Sequence, residues 1–389
     1  MKTLLETASE LGSKLAEFND EEEKNRKPST QSIALLRQHG LLKLFLPKLL
    51  GGLEIDPVTV ARVVEEIATH NVSAGWSMMV ANVAAWWCNA LPEAGVNDIY
   101  GRDGEAFVAG AFHPPMRAIR DGDGYRIHGR SPLASNVNLA SWVFVTALVF
   151  EEDHIKMTNG VPEVLGVYMA RTDCRVIDTW YTNGMRATDS NDILAEGVFV
   201  PHHRLHHLAP GLPHNKYFSG PLYSFPAIGA SIACLLAPVA IATARNAIDE
   251  FKMMAAKKVP FGSTLPIHER GAVQRKLGLA EAYVQSSRAL LYQSLADNWK
   301  RSLAGEVLTL GDKAGILLAA THANQMCCQA VDLIYSAAGS SAIYSSNKIA
   351  YHFSNAQVIR QHGFMNDSRY ETAAQVYLGL QPDLPVVAF

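Results

Sequence analysis

Four histidines crowd the segment Pro201-His-His-Arg-Leu-His-His207, pairing His202 with His206 and His203 with His207 at the i, i+4 spacing that grips zinc on a helix. No carboxylate or cysteine nearby completes a ligand set, so no metal is expected and the segment reads as a solvated linker. The five cysteines, Cys88, Cys174, Cys234, Cys327 and Cys328, are odd in number and contain no CxxC pair, which favours neither a disulfide framework nor a thiolate zinc site. Hydrogen-bond and proton chemistry have better candidates. Ser135-Asn136 and Ser190-Asn191 each pair a hydroxyl with an amide, and the first step equally suits an ordinary turn between strands. His362, as a lone histidine, reads as a helix-surface or capping residue, and His113, in Gly110-Ala-Phe-His-Pro-Pro115, as part of a stiff loop.

These residues need elements to position them. The 389 residues are 48% hydrophobic and 18% charged, which is enough ordinary soluble core for two or three domains. With 34 Lys+Arg against 37 Asp+Glu, no basic surplus exists to neutralise a phosphate backbone, so nucleic acid is not an expected partner. The N-terminus carries the acidic cluster Asp20-Glu21-Glu22-Glu23 and no apolar signal-peptide core, which predicts a cytoplasmic, reduced setting. The longest apolar stretches, Met78 to Cys88 and Ala227 to Ile241, are interrupted and shorter than the roughly 20 residues a bilayer demands, so no membrane partner is expected.

Periodicity divides the chain into three. Up to about Pro92, apolar residues recur at three and four, with Asp56-Pro57 set to cap the helix that carries Glu65 and Glu66. From about Glu105 to Arg204, short runs rich in β-branched and aromatic residues alternate with turn residues, the pattern of a small antiparallel β domain. From Pro226 onward the helical period returns in four segments, Ile228 to Met254, Ile267 to Ala304, Leu310 to Ala338 and Ile349 to Leu380. Segments of that length packed together predict a four-helix bundle. The expectation is an α+β fold with a helical domain at 1–104, a β domain at 105–215 and a bundle at 216–389.

Three stretches carry a family resemblance. Gly129-Arg-Ser-Pro-Leu-Ala-Ser-Asn136, running into Ala140-Ser-Trp-Val-Phe-Val145, resembles the flavin-facing strand and turn of the acyl-CoA dehydrogenase superfamily. Trp180-Tyr-Thr-Asn-Gly-Met-Arg-Ala-Thr-Asp-Ser-Asn191, followed by Val198-Phe-Val-Pro201, resembles the Gly-x-Arg-x-Thr-x-Ser turn and closing strand of the same domain. Tyr335-Ser-Ala-Ala-Gly-Ser-Ser-Ala342, with Gln361-His362, is similar to the last bundle helices of its two-component monooxygenase branch, the group D enzymes. The motifs follow in the family's order along nearly the whole chain.

The resemblance implies an acyl-CoA dehydrogenase-like fold that uses reduced FMN or FAD from a separate flavin reductase to oxygenate an aromatic or heterocyclic molecule through a flavin C4a-hydroperoxide. It implies catalytic roles for Ser135, at flavin N5, and for His362 and His113 in proton handling. Phe112, Asn136, Ser190 and Asn191 would frame the flavin, Lys258 and Gln274 would serve its phosphate, and Trp76, Trp87 and Phe364 would wall the substrate pocket. Lys258 stands where the family has an arginine, keeping the charge without the bidentate fork. A homotetramer with central bundles is also implied. The motif Ser73-Ala-Gly-Trp76 is similar to the segment that opens a pocket helix in phenol hydroxylases, but the histidine expected eight residues later is Ala84.

Two alternatives stay open. An acyl-CoA dehydrogenase oxidising a CH–CH bond needs a carboxylate base, and the matching position holds Gly363, leaving Asp367 and Glu371 in reserve. A non-catalytic flavin-binding scaffold accords with Ala84 and with Ser354-Asn355, which replace an Arg-Asp common before the final helix.

Overall fold

The computed structural model describes residues 2–101, 103–158, 160–208 and 215–389. Six helices come first: α1 (Leu4–Ala16), α2 (Asn19–Asn25), α3 (Thr30–Gln38), α4 (Pro57–His70), α5 (Val72–Trp87) and α6 (Glu93–Tyr100). Their starts are written locally. Thr3 and Glu6 form a reciprocal capping box on α1, Asp56 accepts from the Thr59 N–H with Pro57 in the first turn of α4, and Asn71 caps α5 through the Ala74 N–H. The α5 helix is apolar on all sides and nearly every residue in it is buried, so it is a core helix and not an amphipathic one. Its single mid-helix amide, Asn82, is satisfied by the carbonyls of Leu41 and Met78 and by the Phe45 N–H, which ties the loop after α3 to the core.

The middle of the chain contains β1 (Val108–Asp121), β2 (Gly124–Ala134), β3 (Trp142–Glu151), β4 (His154–Ile155), β5 (Met157–Thr158), β6 (Val161–Pro162), β7 (Val164–Ala170), β8 (Arg175–Ile177), β9 (Asn191–Pro201) and β10 (Leu205–His207). The main sheet runs β10-β7-β3-β1-β2-β9-β8, with β4 paired to β3. The sheet is mixed, which corrects the antiparallel expectation: β1 and β3 pair parallel, Val108 opposite Trp142 and Ile119 opposite Phe150, with a bulge between Ala111 and Met116. The histidine-rich segment is also more ordered than a linker. Leu205–His207 pairs with β7, so its backbone is extended and the i, i+4 zinc geometry does not exist there.

The last part comprises α7 (Pro221–Ser224), α8 (Ala237–Ala255), α9 (Gly271–Leu303), α10 (Leu310–Ala338), α11 (Lys348–Arg360) and α12 (Arg369–Tyr377). Two of the four predicted segments are interrupted. The first opens with a π-helical turn at Ile228–Ala233, ahead of Pro238 near the start of α8. Counted together, Ile228–Ala255 is long and apolar enough to cross a membrane, but its most apolar window is 94% buried against the rest of the fold. The fourth segment breaks into α11 and α12, and His362 lies in the break and not on a helix.

Candidate functional site

Strand β2 ends in a kinked turn where Leu133 and Asn136 both adopt positive φ, 64° and 60°. That geometry presents Ser135 inward. A second turn just before β9, Met185 to Ser190, holds Met185 and Asp189 at φ of 50° and 49°. The two turns are stitched by the Asn136 N–H, which donates to the Thr188 carbonyl at 2.8 Å, and by Asp189, whose carboxylate takes the Asn138 main-chain and side-chain N–H at 3.0 and 2.9 Å. Burial pushes the Asp189 carboxyl pKa up, and the bonds from Asn138 and Asn191 pull it back.

The hydroxyls converge where the turns meet. The Ser135 and Ser190 oxygens are 2.7 Å apart, Ser190 and Thr188 are 2.7 Å apart, and the Trp76 indole N–H donates to Ser135 at 3.0 Å. Ser77, one residue along α5 from Trp76, meets one edge of the Asn136 amide at 3.1 Å, and the other edge is buried with no protein partner. An unpaired polar edge at zero exposure is costly unless a ligand satisfies it.

An aromatic wall stands beside this polar corner. The His362 ring packs edge-on against Trp76, centroids 5.7 Å apart, and lies 5.7 Å from Phe364. Phe364 continues to Phe112 at 5.6 Å, and Phe112 to Phe144 at 5.0 Å and Trp87 at 6.3 Å. Burial pushes the His362 pKa down to about 4, so the imidazole is neutral at pH 7. Its Nδ1 accepts a long bond of 3.4 Å from the Phe364 N–H, which places the ring proton on Nε2. The break between α11 and α12 makes this possible, because a continuous helix would commit the Phe364 N–H to a backbone carbonyl.

The structure thus gathers Ser135, Asn136, Ser190, Trp76, His362, Phe364, Phe112 and Trp87 into one neighbourhood. Asn191 lies in the same turns with a structural task, its side-chain oxygen accepting the N–H groups of Thr179 and Trp180 at 2.9 and 3.0 Å. Three other candidates lie apart. His113 is exposed in the β1 bulge. Lys258 spends its ammonium on the Ala338 carbonyl at the end of α10, 2.6 Å away, and exposed Gln274 bonds the His268 carbonyl at 3.1 Å. The carboxylates Asp367 and Glu371, like Gly363, are exposed. Among the described residues no cluster of three or more metal-ligating side chains occurs.

Sequence reasoning missed two contributors. Asn355, noted only as a departure from the family, accepts the Met185 N–H at 2.7 Å and so clamps the second turn onto α11. The approach is close enough that a Cβ on Gly184 would lie 2.1 Å from the Ser354 carbonyl oxygen, which explains the glycine. Phe389 is the other, its ring 6.2 Å from Trp87 at the far end of the aromatic wall. No periodicity or motif marks a residue so far along the chain. Two clefts flank the cluster and do not contain it: one of about 660 Å³ behind the Asp189 turn, bordered by Arg26, Lys27, Arg171 and Arg175, and one of about 610 Å³ that reaches Phe389.

Comparison with known proteins identifies the family. Residues 2–95 match the family model "Acyl-CoA dehydrogenase, N-terminal domain" and residues 234–367 match "Acyl-CoA dehydrogenase, C-terminal domain". The chain is 28% identical over 369 residues to indole-3-acetate monooxygenase of Pseudomonas putida, covering 95% of this chain and 91% of that one. It is 28% identical over 391 residues to a pigment production hydroxylase of a Rhodococcus species, covering 98% and 97%. Among solved structures, the 3-HSA hydroxylase from Rhodococcus sp. RHA1 superposes with a TM-score of 0.90 at 20% identity over 99% of both chains. XiaF from Streptomyces sp., in complex with FADH2 and glycerol, superposes at 0.89 and 22% identity, covering 98% of this chain and 96% of that one. The chain belongs to the acyl-CoA dehydrogenase family, in its branch of two-component flavin-dependent monooxygenases.

Proposed function

We propose that this chain takes reduced FMN or FAD from a separate reductase and uses it to oxygenate an aromatic or heteroaromatic small molecule. The observation that carries the reading is the junction of Trp76 with both halves of the site: its indole N–H bonds Ser135 and its ring makes a T-shaped contact with His362. A polar corner for a flavin and an aromatic wall for a flat substrate therefore share one side chain.

Reduced flavin, when bound, supplies the two electrons that let dioxygen deliver one oxygen atom to substrate and the other to water. The protein's own residues do the rest. Ser135 and the unpaired edge of Asn136 would hold the polar edge of the ring system, and the buried Ser190 fixes Ser135 in place. Trp76, Phe112, Phe364 and Trp87 exclude water and orient a flat substrate by edge and face contacts. His362, neutral with its proton on Nε2, sits at the substrate side, where it donates to or relays a proton from a ring substituent. A bicyclic heteroaromatic such as indole is the substrate class we favour, on the strength of the aromatic wall and of the relatives acting on indole-3-acetate.

Large apolar side chains exposed in the last third of the chain, among them Phe261, Val307, Ile343, Tyr344 and Leu378, support self-association, and a homotetramer is the assembly we propose. Five buried free cysteines accord with a cytoplasmic setting, where a reductase also keeps flavin reduced.

The test supplies the protein with a flavin reductase, NADH, FMN and indole under ¹⁸O₂ and looks for product carrying one labelled oxygen. Bleaching of bound oxidised flavin by an acyl-CoA, with no labelled product, would return the chain to dehydrogenation.

A further inference from the structure

The hydroxyls of the polar corner form a chain whose direction can be worked out proton by proton. Thr188 Oγ1 lies 2.8 Å from the Met185 carbonyl oxygen and 2.7 Å from Ser190 Oγ. A carbonyl only accepts, and two oxygens at 2.8 Å with no proton between them would set lone pairs against each other, so the single Thr188 proton goes to Met185. Ser190 must then donate to Thr188. By the same count Ser135 must donate to Ser190, 2.7 Å away, because the Ser190 proton is spent. The Trp76 indole N–H, which can only donate, completes the order by bonding Ser135 Oγ at 3.0 Å. The chain runs Trp76, Ser135, Ser190, Thr188, Met185 carbonyl, and every member but the first is at most 7% exposed, too buried for water to reverse it.

The consequence falls on Ser135. Its one proton is committed inward, one lone pair holds the indole N–H, and what it has left for a ligand is a second lone pair. We infer that Ser190 and Thr188 are positioning residues that set Ser135 as a hydrogen-bond acceptor, so that the site selects a flavin whose N5 carries a proton, the reduced form, over the oxidised form, whose N5 only accepts. The inference rests on the flavin reading above and adds to it the residues that discriminate the redox state. Placing Ser135 opposite N5 does not by itself give this selectivity, since a free serine hydroxyl donates to an oxidised N5 as readily as it accepts from a reduced one.

Anaerobic equilibrium titration of the full chain with FMN, oxidised or dithionite-reduced, tests this without any turnover. The wild type should bind reduced FMN more tightly. Ser190→Ala frees the Ser135 proton, so the ratio of the two dissociation constants should shrink about five- to tenfold, with part of the change arising from tighter binding of oxidised FMN. That gain separates a change of polarity from mere damage, which weakens both forms. Thr188→Val removes the proton's destination and should shrink the ratio in the same sense, while Ser190→Thr, which keeps the hydroxyl, should preserve it; a melting curve for each variant confirms folding. An unchanged ratio in both Ser190→Ala and Thr188→Val, or an equal loss for both redox forms, overturns the inference and leaves the flavin reading standing. Failure of the wild type to bind FMN in either state removes the flavin reading and the inference with it.

Discussion

The polar corner draws Ser135, Thr188 and Ser190 from two turns of a single sheet, tied by hydrogen bonds of 2.7 to 3.0 Å, whereas the aromatic wall collects Trp76 and Trp87 from α5, Phe112 from β1, and His362 and Phe364 from the break between α11 and α12. The first is directional, since each proton has one destination. The second is non-directional, since rings 5 to 6 Å apart tolerate sliding and exchange of side chains. The contrast suits a division of labour in which one wall receives a chemically constant ring system and the other receives a substrate that differs between relatives.

The largest expected effect is that of His362→Ala. If the imidazole serves the substrate and not the flavin, kcat should fall by about 10² to 10³ while the dissociation constant for reduced FMN stays within about twofold. A parallel loss of flavin affinity would merge the two walls into one. Next in size is Asn355→Ala, which strands the buried Met185 N–H and should cost about 1–3 kcal/mol in denaturant unfolding, along with about tenfold in flavin affinity as the second turn loosens. Phe364→Ala should raise KM for the aromatic substrate several-fold and leave flavin binding alone; a rise in the flavin constant instead would place Phe364 on the polar side.

The smallest expected effect is in pH. His206, His352 and His362 are each pushed down to about 4 by burial, against an ordinary value of 6.5. The unfolded chain therefore takes up more protons than the folded one between pH 6.5 and 4, and stability should fall as pH drops through that window. Glu23, which burial pushes up to about 7, acts in the opposite sense: the stability it contributes at low pH is lost as pH rises from 4.5 towards 7. Melting temperatures should accordingly drop from pH 7 to pH 5, and Glu23→Gln should raise the melting temperature more at pH 8 than at pH 5.

Much of the scaffold could be read in advance because its causes are local. Asp56-Pro57 caps a helix wherever it occurs before an apolar period, and the turn motif from Gly184 to Ser190 carries its glycine and hydroxyls in fixed order. The parallel β1–β3 pair and the interruptions before α8 and after α11 were not legible. Strand direction depends on which edges meet across 34 residues, and a helical period continues in the sequence even where the backbone stops following it.

The site divides along the same line. The order of the family-like motifs along the sequence singled out Ser135, Asn136, Ser190 and His362, whereas residue type and spacing alone left Ser135-Asn136 open as turn residues and His362 as a helix-surface residue. Only the tertiary structure decided that Trp76 joins the two walls, that Asn355 pins the turn, that His113, Lys258 and Gln274 lie away from the site in space, and that the Ser135 proton points inward. The first two of these depend on contacts between residues 59 to 286 positions apart and the last on a count of donors and acceptors around a buried oxygen, and neither quantity exists until the chain has closed around it.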